Sequence, residues 1–135
     1  MGTIGLCPHI GSLTHPRLRS RLARFLMRRW LDRGFMYRGW GLDPKTGEVT
    51  SDDVIEQTRQ TIVNLEAILA AAGCTLQHVV KATVYLTDMA DYPRVNKVYD
   101  EAFAPNKPAR TCVAVSALPV RERMKIDLVA YPEGN

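Results

Sequence analysis

Cysteine, long apolar runs and, in the first third of the chain, acidic side chains are all scarce in this sequence of 135 residues. Its three cysteines, Cys7, Cys74 and Cys112, lie far apart and form no CxxC pair. We therefore expect no disulfide framework and no zinc site, but reduced thiols in an intracellular compartment. No apolar stretch approaches the roughly 20 residues that span a bilayer, which excludes a membrane-spanning protein.

Acidic residues are almost absent from residues 1–40, where Asp32 stands against eight arginines and the net charge is +7. The remaining residues carry a net charge of −3. The run HPRLRSRLARFLMRRWLDRGF has apolar residues at helical spacing, which is typical of an organelle transit peptide or a basic surface helix. A basic segment of this kind is also able to bind nucleic acid, with arginines on phosphates and aromatic rings on bases. The aromatic residues in question are Phe25, Trp30, Phe35 and Tyr37.

From Leu42 onward the local signals predict two helices, each with one apolar face. The turn DPKTG is followed by Asp53 and Glu56 at the spacing of a capping box, and Gly73 is a typical stop for the helix that begins there. Its predicted buried positions are Ile55, Ile62, Leu65, Ile68, Leu69 and Ala72. Asp91 and Pro93 favour the start of a second helix, which ends before Pro105. Its predicted apolar stripe is Val95, Val98, Tyr99 and Phe103.

Three segments have the β-branched content and alternation of strands. They are residues 79–87 (VVKATVYLT), 110–115 and 124–131, the last two separated by a turn at Leu118 and Pro119. The order of elements is therefore turn, helix, strand, helix, strand, strand, and the helices need a sheet to cover.

Four phrases in this order resemble the Rid family, the reactive intermediate deaminases also known as the YjgF family. They are LDPKTGEV (42–49), EQTRQTIVNLEAILAAAG (56–73), VVKATVYLTDMADYPRVNKVYDEAF (79–103) and PARTCVAVSALP (108–119). The resemblance covers residues 41–119, is weaker at 34–40 and 120–131, and is absent at 1–33. We therefore predict a basic divergent segment at 1–33 and a Rid-like domain at 34–135.

The resemblance implies an α+β fold of the chorismate-mutase-like (YjgF-like) type, a mixed sheet backed by two helices, assembled as a homotrimer with clefts between subunits. It implies hydrolysis of reactive 2-imino or 2-enamino acids to 2-keto acids and ammonia. No cofactor or metal is implied, and the isolated His9, His15 and His78 match no ligand pattern.

Three residues match positions that the family uses at its site. Arg110 matches the arginine of the PAR motif, and its planar fork suits bidentate binding of the substrate carboxylate. Cys112 lies on the same strand face and would line the cleft, while Asn96 would orient substrate or water. Each has a structural alternative: Arg110 as a strand-start residue paired to an acid, Cys112 as a small buried side chain, and Asn96 as a solvated helix residue.

The sequence departs from the family where many deaminating members have a glutamate that positions or activates water. Counting fifteen residues from Arg110 leads to Lys125. Asp127 follows on the same strand face, and could substitute for the glutamate with a shorter reach. Alternatively, Lys125 binds a second anionic group of a different substrate.

The second departure is at the N-terminus. GFMYRGWGLDP (34–44) resembles a shortened strand end, with Arg38 in place of the family serine and Trp40 in place of glutamine. Residues 1–33 are open to three interpretations: a transit peptide before a truncated domain, an alternative exon or shifted reading frame, or a divergent start that still pairs as strands.

Three functions follow from these observations. The first is imine deamination with Arg110 as the carboxylate clamp, using Lys125 or Asp127 near the reacting water. The second is a Rid-fold protein with little deaminase activity that binds small carboxylates or partner proteins. The third is a nucleic-acid-binding or ribonuclease-type member that uses the basic N-terminal segment. We expect the protein in the cytoplasm, or in mitochondria if residues 1–33 are a transit peptide.

Overall fold

The computed structural model describes residues 27–29 and 35–132, which form five strands and two helices. The strands are β1 (Met27–Arg29), β2 (Phe35–Trp40), β3 (Val79–Leu86), β4 (Ala109–Ala114) and β5 (Met124–Ala130). The helices are α1 (Val54–Ala71) and α2 (Tyr92–Phe103). The predicted order of elements from residue 42 onward is confirmed. Neither helix is long and apolar enough to cross a membrane, within the ranges given above.

The strands form one mixed sheet in the order β1-β2-β5-β3-β4. Strand β5 lies at its centre and pairs antiparallel with both β2 and β3. Strands β3 and β4 are parallel, and α2 provides the crossover between them. Two helices on a mixed sheet make the α+β class that was predicted.

The alternation along β5 defines the two faces of the sheet. Met124, Ile126 and Leu128 are buried beneath the helices, whereas Lys125 and Asp127 point to the opposite side. We call these the helix-side face and the far face. Paired residues share a face. The register of β2 and β3 with β5 therefore assigns their side chains to a face, and the registers of β1 with β2 and of β4 with β3 extend the assignment to the remaining strands.

Helix α1 buries a more polar face than its apolar pattern predicts. Its buried residues are Val54, Gln57, Thr58, Thr61, Ile62, Leu65, Ile68 and Leu69. The Thr58 and Thr61 hydroxyls donate to backbone carbonyls four residues earlier, at 2.6 and 2.7 Å. The Gln57 side chain donates to the Ser51 carbonyl and accepts from the Arg123 N–H. Hydrogen bonds thus satisfy these polar groups inside the core.

The predicted capping box at the start of α1 is wrong. Asp53 is the N-cap residue, but its side chain makes no hydrogen bond to the helix backbone. Its carboxylate instead accepts a 2.6 Å hydrogen bond from Arg94 of α2. A charged partner from another element has displaced the local cap, because an ion-assisted hydrogen bond is stronger than one to a neutral N–H.

Helix α1 lies very close to β2 at Gly39. A Cβ atom at this position would lie 2.5 Å from Leu65 Cγ and 2.8 Å from Thr61 Cγ2. Gly39 pairs with Ile126, so it is on the helix-side face. The absence of a side chain at Gly39 is therefore what lets the helix pack directly on the backbone of β2.

The predicted stripe of α2 is confirmed at all four positions. Val95, Val98, Tyr99 and Phe103 are buried, and the rings of Tyr99 and Phe103 stack with centroids 4.3 Å apart. The start of α2 is tied to β5 through Asp91, which accepts 2.9 and 2.7 Å hydrogen bonds from Arg123 Nη2.

Part of the basic segment joins the sheet. Met27–Arg29 pairs antiparallel with β2, so these residues form a strand and not the helix that their spacing predicts. They lie before the predicted boundary at residue 34. The other basic residues of the segment, with Phe25 and Trp30, fall outside the described residues.

Tyr37, one of the aromatic residues considered for base stacking, is fully buried in the core and is not available to a nucleic acid.

Glu122 is a carboxyl group buried in the core just before β5, with 1% of its surface exposed. Within the described residues, neither of its carboxylate oxygens has a hydrogen-bond partner. Burial raises its pKa to about 7, although the nearby Gly41 N–H and the Lys125 ammonium oppose the shift. Glu122 is therefore protonated in the folded chain at mildly acidic pH.

We expect Glu122 to make the folded state less stable as pH rises. The unfolded carboxyl titrates near 4.5 and the folded one near 7. Between these values the folded state holds the extra proton, so the free energy of unfolding falls as pH rises, by at most about 3.5 kcal/mol at about 1.4 kcal/mol per pKa unit. The Glu122→Gln variant should lose this fall and be more stable than wild type above pH 7.

Urea denaturation of both proteins at steps from pH 4.5 to 8 measures the difference. Glu66→Gln, at an exposed position of α1, is the control and should show no such pH-dependent difference. A Glu122→Gln effect that is the same at every pH would contradict the burial argument.

Candidate active site

Arg110, the second residue of β4, lies on the helix-side face beneath α2. It pairs with Ala82 of β3, which pairs in turn with Leu128 of β5. Its guanidinium carbon lies 4.7 Å from the centroid of the Tyr99 ring and 5.8 Å from that of Tyr92. Two aromatic rings of one helix thus hold a cation whose side chain is only 22% exposed.

The guanidinium fork of Arg110 has two polar neighbours. Nη2 donates to the Tyr92 hydroxyl at 3.1 Å, and Nη1 lies 3.7 Å from the Asp100 carboxylate. Asp100 also accepts a 2.9 Å hydrogen bond from the Asn96 amide. Arg110 and Asn96, which sequence comparison selected separately, are therefore linked through Asp100.

This site has unused hydrogen-bonding capacity. Within the described residues, the Tyr99 hydroxyl and Asn96 Oδ1 are buried and have no hydrogen-bond partner. Burial raises the pKa of the Tyr99 hydroxyl to about 12, although Arg110 opposes the shift. Tyr99 is therefore a neutral hydroxyl at physiological pH. Buried polar groups of this kind usually find a partner, which a ligand or a neighbouring chain can supply.

A pocket of about 280 Å³ opens beside Arg110. Its lining residues are Tyr99, Asp100, Phe103, Lys107, Pro108 and Arg110. The two rings and the proline make its apolar wall, while three charged groups stand at its rim. The volume is at the small end for ligand pockets and suits a molecule of a few heavy atoms.

Cys112 lies on the same face as Arg110, as predicted, because it pairs with Val84 in the same register. It is half-buried and packs against the hydrophobic core. Burial raises the pKa of its thiol, and the positive charge of Arg110 only partly offsets this. A neutral thiol is a poor nucleophile, so the geometry favours a lining role for Cys112 over a chemical one.

Lys125 and Asp127 form a second polar cluster, on the far face. Lys125 Nζ lies 3.0 Å from Asp127 Oδ1 and 5.2 and 5.1 Å from the ring centroids of Trp40 and Tyr85. Arg38 is the register partner of Asp127 on β2. Burial, and then the charge of Asp127, raise the pKa of the Tyr85 hydroxyl. Trp40 thus flanks Lys125, and Arg38 lies opposite Asp127 on the same face.

The predicted site residues do not all converge within one chain. Arg110, Cys112 and Asn96 gather at the helix-side face, near the pocket. Lys125 and Asp127 lie across the sheet from them, because adjacent residues of β5 alternate between faces. A small substrate on Arg110 cannot reach Lys125 or Asp127 of the same chain through the sheet.

Sequence reasoning missed Tyr92, Asp100 and Lys107. Tyr92 and Tyr99 are seven residues apart, and Asn96 and Asp100 are four apart, so helical spacing could have placed each pair on one face. Lys107 stands directly before the PAR motif. Their contribution was not visible because the sequence alone does not show that α2 crosses over Arg110.

A metal site is not indicated in the residues that the structure describes: they contain no group of three or more histidine, cysteine, aspartate or glutamate side chains that could hold an ion. His78 instead accepts a hydrogen bond from the Thr75 N–H at the short helical turn before β3.

Comparison with known proteins matches the sequence and fold of this chain. The family model described as Endoribonuclease L-PSP matches residues 33–132. A RutC family protein of Pyrococcus horikoshii is 50% identical over 92 residues, which are 68% of this chain and 73% of that protein. The human 2-iminobutanoate/2-iminopropanoate deaminase is 43% identical over 90 residues, which are 67% of this chain and 66% of that protein.

Among solved structures, the YjgF gene product of Escherichia coli superposes with a TM-score of 0.72 at 34% identity, covering 78% of this chain and 85% of that one. The fold is thus the YjgF-like α+β arrangement that the sequence predicted. The chain belongs to the Rid family, also called YjgF or RutC, as the resemblance of residues 41–119 indicated.

Proposed function

We propose that this protein hydrolyses 2-imino and 2-enamino acids to 2-keto acids and ammonia, with Arg110 as the carboxylate clamp. The observation that carries the proposal is the guanidinium held by Tyr92 and Tyr99 at the rim of a small pocket. The human relative at 43% identity is named a 2-iminobutanoate/2-iminopropanoate deaminase, which supports the same reaction class here. We propose that the protein acts in the cytoplasm, or in mitochondria if residues 1–33 are a transit peptide.

In the proposed reaction, water adds to the C=N carbon of the iminium form, and the resulting carbinolamine expels ammonia. One iminium acid and one water give one keto acid and one ammonium ion. The carboxylate bound to Arg110 holds the reacting carbon in place, so that attack by water becomes effectively unimolecular. Cys112 lines the cleft, and Asn96 orients substrate through its amide and its contact with Asp100.

Replacing Arg110 tests the clamp. We expect Arg110→Ala to lower kcat/KM for 2-iminopropanoate by about 30-fold or more, since losing a desolvated charged partner costs about 2–5 kcal/mol. Arg110→Lys keeps the charge without the planar fork, so its kcat/KM should lie between those of wild type and Arg110→Ala. The measurement is the decay of imine generated in situ by an amino-acid oxidase.

Arg94→Ala, which removes an exposed arginine of α2 outside the pocket, is the matched control and should retain wild-type rates. Wild-type rates in Arg110→Ala would rule out the clamp. Folded wild-type protein that does not accelerate the reaction would favour the second candidate, a Rid-fold protein that binds small carboxylates without deaminating them.

We also propose that the active unit is a homotrimer with the site in the clefts between subunits. One chain separates Arg110 from Lys125 and Asp127 by the thickness of its sheet, so a second copy must bring its far face to the Arg110 pocket if all three act together. Within the described residues, β4 pairs only with β3 and exposes Val113, which makes it an edge strand open to contact.

A change on this edge tests the assembly. We expect Val113→Asp to dissociate a particle of about three times 15.1 kDa into single chains, because a carboxylate would be buried in the contact. Val63→Asp, at an exposed apolar position of α1, is the control and should not change the mass. Sedimentation equilibrium measures both. Wild-type protein that sediments as one chain would refute the trimer.

A change at Lys125 tests whether the lack of a carboxylate at this position lowers the rate of an otherwise intact site. We propose that Lys125→Glu, which supplies the carboxylate that deaminating members have, raises kcat/KM for 2-iminopropanoate. The new carboxylate would stand beside Asp127, and like charges raise a carboxyl pKa toward the range of a general base. Lys125→Gln removes the charge without adding a carboxylate. If the Glu variant is no faster than the Gln variant, Lys125 is not what limits the reaction.

A further inference from the structure

We propose that the pocket beside Arg110 selects imino acids that carry a second carboxylate, with Lys107 binding that carboxylate and Asp100 contacting the iminium nitrogen. This inference rests on the proposed deaminase activity and names its substrate class. It concerns two residues, Lys107 and Asp100, that the resemblance does not single out.

Lys107 and Arg110 line the same pocket, from the loop before β4 and from β4 itself. Lys107 is exposed, and no ion pair of its ammonium with another described residue is found. Arg110, by contrast, is largely buried and held by two rings. The pocket therefore has two cations for one substrate. Arg110 is fixed and can bind a carboxylate inside the pocket, and Lys107 at the rim can bind a second carboxylate that extends out of it.

Asp100 is placed to meet the nitrogen of a substrate whose carboxylate is on Arg110. Its Oδ1 lies 3.7 Å from Arg110 Nη1, while its Oδ2 is occupied by the Asn96 amide. In a 2-imino acid the nitrogen is only two bonds from the carboxylate carbon, so binding one end on Arg110 brings the other toward Asp100. A carboxylate there favours the protonated iminium, which is the form that water attacks.

The charges of the pocket match this substrate class. Lys107, Arg110 and Asp100 together carry a formal charge of +1. An iminium acid with two carboxylates carries −1, and each of its three charges finds an opposite partner. A monocarboxylate iminium acid is neutral overall and leaves Lys107 without a partner. The apolar wall of Tyr99, Phe103 and Pro108 can cover the methylene groups between the carboxylates.

Lys125, the other lysine considered for a second anion, is less suited to this role. Its ammonium is paired with Asp127 at 3.0 Å and flanked by the Trp40 and Tyr85 rings, on the far face. It does not line the Arg110 pocket of its own chain. Its charge is already compensated by Asp127, whereas Lys107 has no ion pair among the residues that the structure describes.

The test compares 2-iminoglutarate with 2-iminopropanoate as substrates of the full chain. We expect Lys107→Gln to lower kcat/KM for 2-iminoglutarate about tenfold more than kcat/KM for 2-iminopropanoate, mainly through KM. Lys45→Gln, at an exposed turn lysine outside the pocket, should change neither. If Lys125→Gln, and not Lys107→Gln, removes the difference between the substrates, the assignment to Lys107 is overturned.

Asp100→Asn tests the iminium contact. We expect it to lower kcat/KM for both imino acids, yet to strengthen binding of 2-oxoglutarate, because this keto acid has no nitrogen and is repelled by the Asp100 carboxylate. Isothermal titration calorimetry measures the binding. Unchanged hydrolysis in this variant would overturn the role of Asp100.

Failure of the inference can be told from failure of the proposed function. If wild type hydrolyses 2-iminopropanoate and Lys107→Gln treats both substrates as wild type does, only the inference falls. If wild type hydrolyses neither, the deaminase proposal falls, and titration with keto acids tests whether Lys107 binds a second carboxylate. Tighter binding of 2-oxoglutarate than of 2-oxobutanoate, lost in Lys107→Gln, would support this role of Lys107. Equal binding of the two keto acids would overturn it.

Discussion

The alternation of side chains along the central strand β5 is the constraint on which the rest of this structure depends. Its even-numbered residues Met124, Ile126 and Leu128 are buried in the core on the helix side, and its odd-numbered residues Lys125 and Asp127 are thereby placed on the far face. Since β5 hydrogen-bonds to both β2 and β3, its register assigns a face to every neighbouring side chain. The separation of Arg110 from the Lys125 cluster follows directly.

Helix α2 builds the pocket beside Arg110, which is the binding site that we propose. The same stripe that packs Val95 and Phe103 into the core brings Tyr99 over Arg110, while Tyr92 reaches the guanidinium from the first turn. A cation held between rings is partly desolvated, which strengthens its attraction for a carboxylate that replaces water. Core packing and the proposed carboxylate recognition therefore use one surface of one helix, and the pocket lies where that surface meets the loop before β4.

Local patterns predicted elements well and partners poorly. The two helices and the strands from residue 79 onward were predictable because their periodicities are strong and agree with their turn residues. The capping box at Asp53 was wrong because Arg94, 41 residues away, binds its carboxylate. The buried Glu122 and Gln57 were missed because polar residues in the core depend on contacts from other elements. Tyr37 was considered for base stacking, although burial in the sheet removes it from the surface.

The sequence by itself determined the α+β class, the family, and the choice of Arg110, Cys112 and Asn96, because motifs and periodicities are carried by residues close together in the chain. Only the tertiary structure decided which of these share a face. Arg110 meets Asp100 and Tyr92 through a crossover helix, and Lys125 meets Trp40 and Tyr85 through strand register. Such contacts depend on how segments far apart in the chain pack together. A local sequence pattern does not contain the spatial distance between these segments.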